Sequence, residues 1–223
     1  MDFFPKRSTV FSNKNRFFFC KDEVEKWALK EHKRKPRALI IGANNGILAD
    51  RLTPILMAHE WEGVLIEAVP QLFAELQLNL KKKNGRLWSG LKLVNKALTA
   101  SESVSSVNIS VNLDPNGAAW MRGTGSIVRG AEKRTILTVP AATLPKILQD
   151  YPPFDVVQID VEGFDEVVLQ QLESLKWEPL VLALETCNDV CQKYRLAHNF
   201  SASDAPGNVV LFKSHLIKKT QTS

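Results

Sequence analysis

Four apolar residues, Ala38 to Ile41, run straight into a glycine, and this junction constrains the fold more than any other stretch of the chain. An apolar, β-branched run without polar alternation suits a strand buried on both faces, as in parallel sheets covered by helices. Gly42 breaks the run and Gly46 follows. The pattern Leu48, Leu52, Ile55 and Leu56 then predicts a helix from Gly46 to about His59, bent at Pro54. A second apolar strand, Gly63 to Ile66, ends in Glu67. The order is strand, glycine turn, helix, strand, acid.

Glycines belong in such a turn because one lets the backbone adopt dihedrals barred to other residues and another lets a ligand approach the amides without meeting a Cβ. With a helix starting at the turn, those amides would sit at its positive end and hold the polar end of a cofactor. An acid roughly 20 residues on, at the carboxyl edge of the neighbouring strand, is placed to accept hydrogen bonds from two ribose hydroxyls. A dinucleotide site asks for G-x-G-x-x-G/A. Here the frame is Gly42-Ala43-Asn44-Asn45-Gly46-Ile47, with the glycine at the fifth place, and it favours S-adenosylmethionine over NAD.

The 223 residues, 44% apolar and 24% charged, are enough for one domain with a sizeable core. The reading is a basic flexible arm over 1–20, a single domain over 21–216 and a polar tail over 217–223. No apolar run approaches the ~18 residues of a membrane span, and Phe17-Phe-Phe-Cys20 is too short for a signal-peptide core, so the expected location is cytoplasmic. Lys6, Arg7, Ser8, Thr9, Ser12, Lys14 and Arg16 are also compatible with an organellar transit peptide. Cys20, Cys187 and Cys191 are odd in number and lack Cys-x-x-Cys spacing, which argues for buried or idle thiols rather than a disulfide framework or a zinc site. The net charge of +5 is concentrated at the start: residues 1–37 carry eleven Lys or Arg against five Asp or Glu. The run Lys33-Arg-Lys-Pro-Arg37 could touch RNA, an anionic lipid surface or an acidic substrate; a solvated helix end, where the dipole favours cations, is the preferred reading.

Along the rest of the chain the periodicity predicts a helix over 21–33, closed by Pro36, and a helix that Pro70 starts, with Leu72, Phe73, Leu76 and Leu80 on one face. Leu91 to Leu98 reads as a third strand. Ser105–Val111, Ser126–Val128 and Thr135–Val139 suggest antiparallel additions to the main sheet. A short helix spans 143–149, and Phe154 to Asp160 is a clear strand with Val161-Glu162-Gly163 as the loop at its carboxyl end. A helix over 164–175 and strands over 179–185 and 208–213 complete a doubly wound α/β sheet.

At this point the residues resemble an FkbM-like methyltransferase. The matches are Ile41-Gly-Ala-Asn-Asn-Gly46, Trp61-Glu-Gly-Val-Leu-Ile-Glu67 with Pro70 and Phe73, Asn95-Lys-Ala-Leu98, and Gln158-Ile-Asp-Val-Glu-Gly163. The resemblance implies a class I methyltransferase fold, Rossmann-like and mostly parallel with an antiparallel last strand. It also implies S-adenosylmethionine as donor and usually a hydroxyl of a sugar or small metabolite as acceptor. Carried over by position, Gly42, Ala43, Asn44 and Gly46 belong to the turn that holds the methionine end, Glu67 takes the ribose, Lys96 and Ala97 the adenine edge, and Asp160 stands at the reaction centre. The chain departs from many relatives at Ile40, where they carry an acid, and its region 187–207 looks shorter and less regular.

Methyl transfer from a sulfonium is an in-line displacement whose leaving thioether is neutral, so positioning and removal of the acceptor's proton matter most. Asp160 is read as acceptor-orienting group or base, with Glu162 fixing the loop or sharing the proton; Glu162 as a helix cap is the plainer alternative. Two adjacent acids would push one pKa up. A magnesium ion on Asp160, Glu185 and Asn188 is a separate alternative, and no metal is assigned. Tyr151-Pro-Pro-Phe154 resembles the Pro-Pro-aromatic loop of amino-group methyltransferases, but it precedes its strand instead of following it. The favoured function is O-methylation of a sugar, glycolipid or small metabolite. RNA ribose 2′-O-methylation, a non-catalytic nucleoside-binding scaffold and an NAD oxidoreductase are the competing readings.

Overall fold

A computed structural model describes residues 16–47, 52–81, 87–111, 135–161, 163–185, 188–205 and 208–213. The elements run α1 (Arg16–His32), β1 (Arg37–Ile41), α2 (Thr53–His59), β2 (Glu62–Ile66), α3 (Pro70–Asn79), β3 (Leu91–Val94), β4 (Ala97–Leu98), β5 (Ser106–Val111) and β6 (Thr135–Ala142). They continue with α4 (Leu144–Leu148), β7 (Val156–Ile159), α5 (Asp165–Ser174), β8 (Val181–Leu184), α6 (Asp189–Ala197), β9 (Phe200–Ala205) and β10 (Asn208–Lys213).

Seven strands form one sheet in the order β3-β2-β1-β7-β8-β10-β9, with β10 antiparallel to both its neighbours and the pairings from β3 to β8 all parallel. This is the class I methyltransferase arrangement that the sequence led one to expect. The strand order reverses between β1 and β7, and in open α/β sheets ligands bind beyond the carboxyl ends of the strands at such a switch point. Gly42 leaves β1 there and Asp160 leaves β7.

Alternation along the strands explains the two-sided core. Ala38 and Ile40 of β1, Leu65 of β2, Val156 of β7 and Val181 of β8 face α1, α2 and α3 through Val24, Ile55, Leu56 and Leu76. Leu39, Ile41, Ile66, Val157, Ile159 and Leu182 face the other way, against Leu144, Leu148, Val168, Leu172 and Tyr194 of α4, α5 and α6. Each such side chain, fully buried, contributes about 1.5–3 kcal/mol. Ile40 is thus wholly inside one core layer, so the position where relatives carry an acid presents no group to the switch point.

Several sequence expectations need correction. The helix expected from Gly46 begins at Thr53 among the described residues, and Pro54 lies in its first turn, where the missing N–H costs nothing; it starts α2 rather than bending it. The expected strand over 91–98 breaks at Asn95, whose Nδ2 donates to the carbonyls of Glu67 (2.8 Å) and Ala68 (3.2 Å). Its second half, β4, joins β6 and β5 in a separate three-stranded sheet, so these strands are not additions to the main one. That sheet covers a third cluster, Val69, Leu72, Ala97, Ile109, Val111, Val139 and Ala141. Residues 16–20 form the start of α1. Region 188–205 is regular: Asn188 Oδ1 caps α6 by accepting from Val190 and Cys191 N–H, both at 3.1 Å, and β9 pairs along the whole of β10. Cys191 is disulfide-bonded rather than an idle thiol, and it is itself buried, in the otherwise accessible first turn of α6. Pairing depends on Cα separation, which sequence spacing does not report. The arm before Arg16, Leu48, Ser126–Val128, Glu162, Cys187 and the tail 217–223 lie outside the described residues.

The amino-terminal edge of the sheet is fastened by Asp155. Its buried carboxylate accepts both Arg34 guanidinium nitrogens (2.6 and 3.1 Å) and the Arg37 N–H (2.7 Å). Arg37 Nε also donates to Glu62 at 2.8 Å, and Lys35 Nζ stands 3.4 Å from Glu60. The basic run is therefore largely spent on its own fold. Tyr151-Pro-Pro-Phe154 lies at this edge too, Phe154 packing edge-on to Trp177 with centroids 5.5 Å apart. No helix among the described residues is long and apolar enough to cross a membrane.

Candidate functional site

At the switch point the chain after β1 makes two left-handed steps at glycine, Gly42 (φ +81°) and Gly46 (φ +76°), with Asn44 (φ 51°) between them. Asn tolerates that conformation better than most residues, which suits it to the position. A Cβ on Gly42 would fall 1.8 Å from the carbonyl oxygen of Asp160, and one on Gly46 would fall 2.6 Å from Leu76 Cδ1. Packing thus demands glycine at position 42, where the near atom is backbone, while at Gly46 the near atom is the end of a leucine side chain.

The amides of the turn are likewise accounted for. Gly42 and Ala43 donate to Ile66 O (2.9 and 3.0 Å), Asn44 to Glu67 Oε2 (2.7 Å) and Asn45 to Asn44 Oδ1 (2.7 Å). Gly46 donates to Ala43 O (3.0 Å) and Ile47 to Asn45 Oδ1 (3.1 Å). Among the described residues these N–H groups serve the turn and its neighbours, and the next described helix starts seven residues after Gly46.

What the turn does instead is hold Glu67. Its two oxygens each accept one backbone N–H, Oε2 from Asn44 at 2.7 Å and Oε1 from Val69 at 2.8 Å, in a residue only 6% exposed. Burial pushes this carboxyl above the ordinary glutamate range, against the opposing pull of the Val69, Asn44 and Ala68 amides. A carboxylate has about four acceptor directions, so two N–H bonds fix its orientation and leave capacity for hydroxyl donors.

Glu67 lines a cavity of about 100 Å³ together with Gly42, Ala68, Lys96, Ala97, Leu98, Ile109, Asp160, Val161 and Phe164. The structure thus brings together Gly42, Glu67, Lys96, Ala97 and Asp160 of the residues singled out from sequence. Ala43 and Gly46 are buried and are not among the lining residues, Gly46 being turned toward Leu76, and Asn44 acts through its N–H on Glu67. Among the described residues no group of three or more His, Cys, Asp or Glu stands ready for a metal, and the Asn188 side chain is occupied as a helix cap.

Two contributors escaped the sequence reading. Asp165, the first residue of α5, is buried beside the cavity, and its carboxylate accepts the Val161 N–H at 3.4 Å. Burial raises its pKa to about 6; the Val161 N–H opposes this and the Glu185 charge adds to it. The pair of acids expected at the end of β7 includes Glu162, which lies outside the described residues. An acid in the first turn after Gly163 was the available signal, but helix-start acids are commonplace. Gln171 ties α5 to both flanks, accepting the Leu144 N–H (2.6 Å) and donating to Thr99 O (2.8 Å), which braces the Ala97–Leu98 wall.

The lining suits a nucleoside. A clamped carboxylate with spare acceptor capacity matches a pair of ribose hydroxyls, and Ile66, Ala97, Leu98 and Ile109 give apolar walls for a flat base. Among solved structures the chain is similar to a precorrin-6y C5,15-methyltransferase from Geobacter metallireducens GS-15, at 12% identity and TM-score 0.49 over 94% of this chain and 95% of that one. It is also similar to a methyltransferase FkbM from Methylobacillus flagellatus KT, at 12% identity and TM-score 0.45 over 79% and 43% of the two chains. A third is the N-terminal domain of human METTL16 in complex with SAH, at 9% identity and TM-score 0.49 over 94% and 74%. No curated protein sequence matches the chain. The methyltransferase FkbM domain model matches residues 41–200, well over half of the 223, and spans both walls of the cavity. The chain therefore belongs to the FkbM methyltransferase family, with S-adenosylmethionine as its methyl donor.

Proposed function

We propose that this methyltransferase transfers to oxygen, on a hydroxyl of a sugar, glycolipid or small metabolite. The observation that carries the proposal is that one cavity at the switch point holds both a clamped acid, Glu67, and a second acid, Asp160, with Gly42 between β1 and β7. Bound there, the donor supplies an activated methyl group on a sulfonium. Glu67 accepts the ribose hydroxyls, Ala97 and Leu98 flank the base, and the Lys96–Ala97 backbone borders it. At about 100 Å³ the cavity is below the ~300–1,000 Å³ usual for whole small-molecule sites, so it receives the nucleoside end. The Asp160 carboxylate accepts a hydrogen bond from the acceptor hydroxyl, orients it and takes its proton as transfer proceeds.

Glu67→Gln tests the donor half. The amide keeps one acceptor and turns an NH₂ toward a backbone N–H, so affinity for S-adenosylhomocysteine should fall about 10- to 100-fold, roughly 1.5–3 kcal/mol. Calorimetry giving wild-type affinity would place the ribose elsewhere. For the acceptor half, a labelled-methyl screen over sugars, glycolipids and RNA identifies the substrate class. Asp160→Asn should then abolish transfer while S-adenosylhomocysteine still binds. Transfer to RNA and to no hydroxylated small molecule would overturn the proposal. RNA is the weaker reading because Arg34, Lys35 and Arg37 already pair with Asp155, Glu60 and Glu62.

A further inference from the structure

We propose that Asp165 is a positioning residue of this site: by holding the Val161 N–H it fixes the backbone turn that presents Asp160, Val161 and Phe164 to the cavity. Beyond β7 the chain reverses within five residues to enter α5, and hydrogen bonds among the described residues span the reversal. Val161 N–H donates to Asp165 Oδ1 at 3.4 Å, and Phe164 N–H donates to Val161 O at 3.3 Å. Phe164 supplies no side-chain cap to α5, so the Asp165 carboxylate is the side chain that engages this turn from within the helix. Asp160, Val161 and Phe164 all line the cavity, whereas Asp165 does not; it is buried behind them and acts through the Val161 amide.

An ionised acceptor makes the stronger hydrogen bond, and the helix N-terminus favours its charge. Burial opposes ionisation and sets the titration at about 6, Glu185 adding to the rise from just past β8. Asp160 stands at the end of β7 and Glu166, exposed, follows on α5. Glu67 lines the same cavity and is also raised by burial, so a pH dependence of affinity would mix the two acids. The Val161 amide separates them.

In an isotope-labelled full chain, the Val161 amide resonance should titrate with a midpoint near pH 6 and lose that titration in Asp165→Asn. A resonance that does not respond between about pH 5 and 7 overturns the proposal. Taking the cavity as the donor pocket, as above, Asp165→Ala should weaken S-adenosylhomocysteine binding about tenfold or more at neutral pH, and Asp165→Asn, which keeps the acceptor, should restore it to within about threefold. Wild-type affinity in Asp165→Ala, or equal loss in both variants, also overturns it. If the wild-type chain itself gives no heat with S-adenosylhomocysteine, the donor-pocket reading falls and the Val161 titration alone decides the role of Asp165. If Asp165→Ala does not fold, the Asn variant carries the test. The sign of the stability effect is a further check. A carboxyl whose folded pKa, about 6, lies above its ordinary 3.8 makes the fold less stable as pH rises through that window. Asp165→Asn should therefore melt higher than wild type at neutral pH, with the gap closing below about pH 4.

Discussion

Gly42→Ala is expected to lower the melting temperature by roughly 10 °C or more and to empty the donor site with it. Two costs add. An alanine held at φ +81° loses about 1–2 kcal/mol, and its Cβ would lie 1.8 Å from the Asp160 carbonyl oxygen, which is backbone and cannot rotate away. To relieve that overlap the carboxyl ends of β1 and β7 must part, straining the Asp160 N–H bond to Ile41 O (2.9 Å) and the strand register beneath it. Overpacking of this kind costs about 1–3 kcal/mol or more. Gly163→Ala is the matched control. Its φ is +89°, yet a Cβ there meets nothing within 4 Å, so only the conformational part remains, about 2–8 °C. Thermal melts in which the two variants behave alike would show that the close approach of β1 and β7 is not what Gly42 serves.

The second large effect lies at the opposite edge of the sheet. Arg34→Ala should cost about 2–4 kcal/mol, because it leaves the buried Asp155 carboxylate without its bidentate partner. The upper half of the usual range is discounted, since Arg34 is itself 21% exposed. Asp155→Ala should cost a similar amount, stranding the Arg37 N–H. The double variant should cost clearly less than both single losses together, as coupled partners do. Denaturant unfolding in which Arg34→Ala falls within about 0.5 kcal/mol of wild type would return the basic run to the role of a solvated surface. This pairing also changes how nucleic-acid binding should be tested. Reversing Lys33, Arg34 and Lys35 together would bring a new acid against Asp155 and unfold the domain, so within this run Lys33 is the cleaner probe.

The central unit was readable from the order of residues. Ala38–Ile41, Gly42, Gly63–Ile66 and Glu67 form strands buried on both faces, an obligatory left-handed step and an acid at a strand end, and each leaves a local trace in composition. The same holds for β7 and for Asp160. Harder to read were α6 and β9, because Phe200–Ala205 has little β-propensity of its own and is held by pairing with β10, while α6 is short, at nine residues. Asn188 as a helix cap was the overlooked cue.

The sequence by itself determined the sheet's parallel half, the place of the turn and the acid that follows β2, since hydrophobic period and glycine act within a few residues. Only the tertiary structure decided what the turn is for. Its amides close on Ile66, on Glu67 and on the turn itself, and that satisfaction depends on a strand some 20 residues away. It likewise decided that Arg34 serves Asp155 across 121 positions and that burial raises the titration of Asp165. Burial and hydrogen-bond geometry are properties of the packed chain, and no local pattern records them.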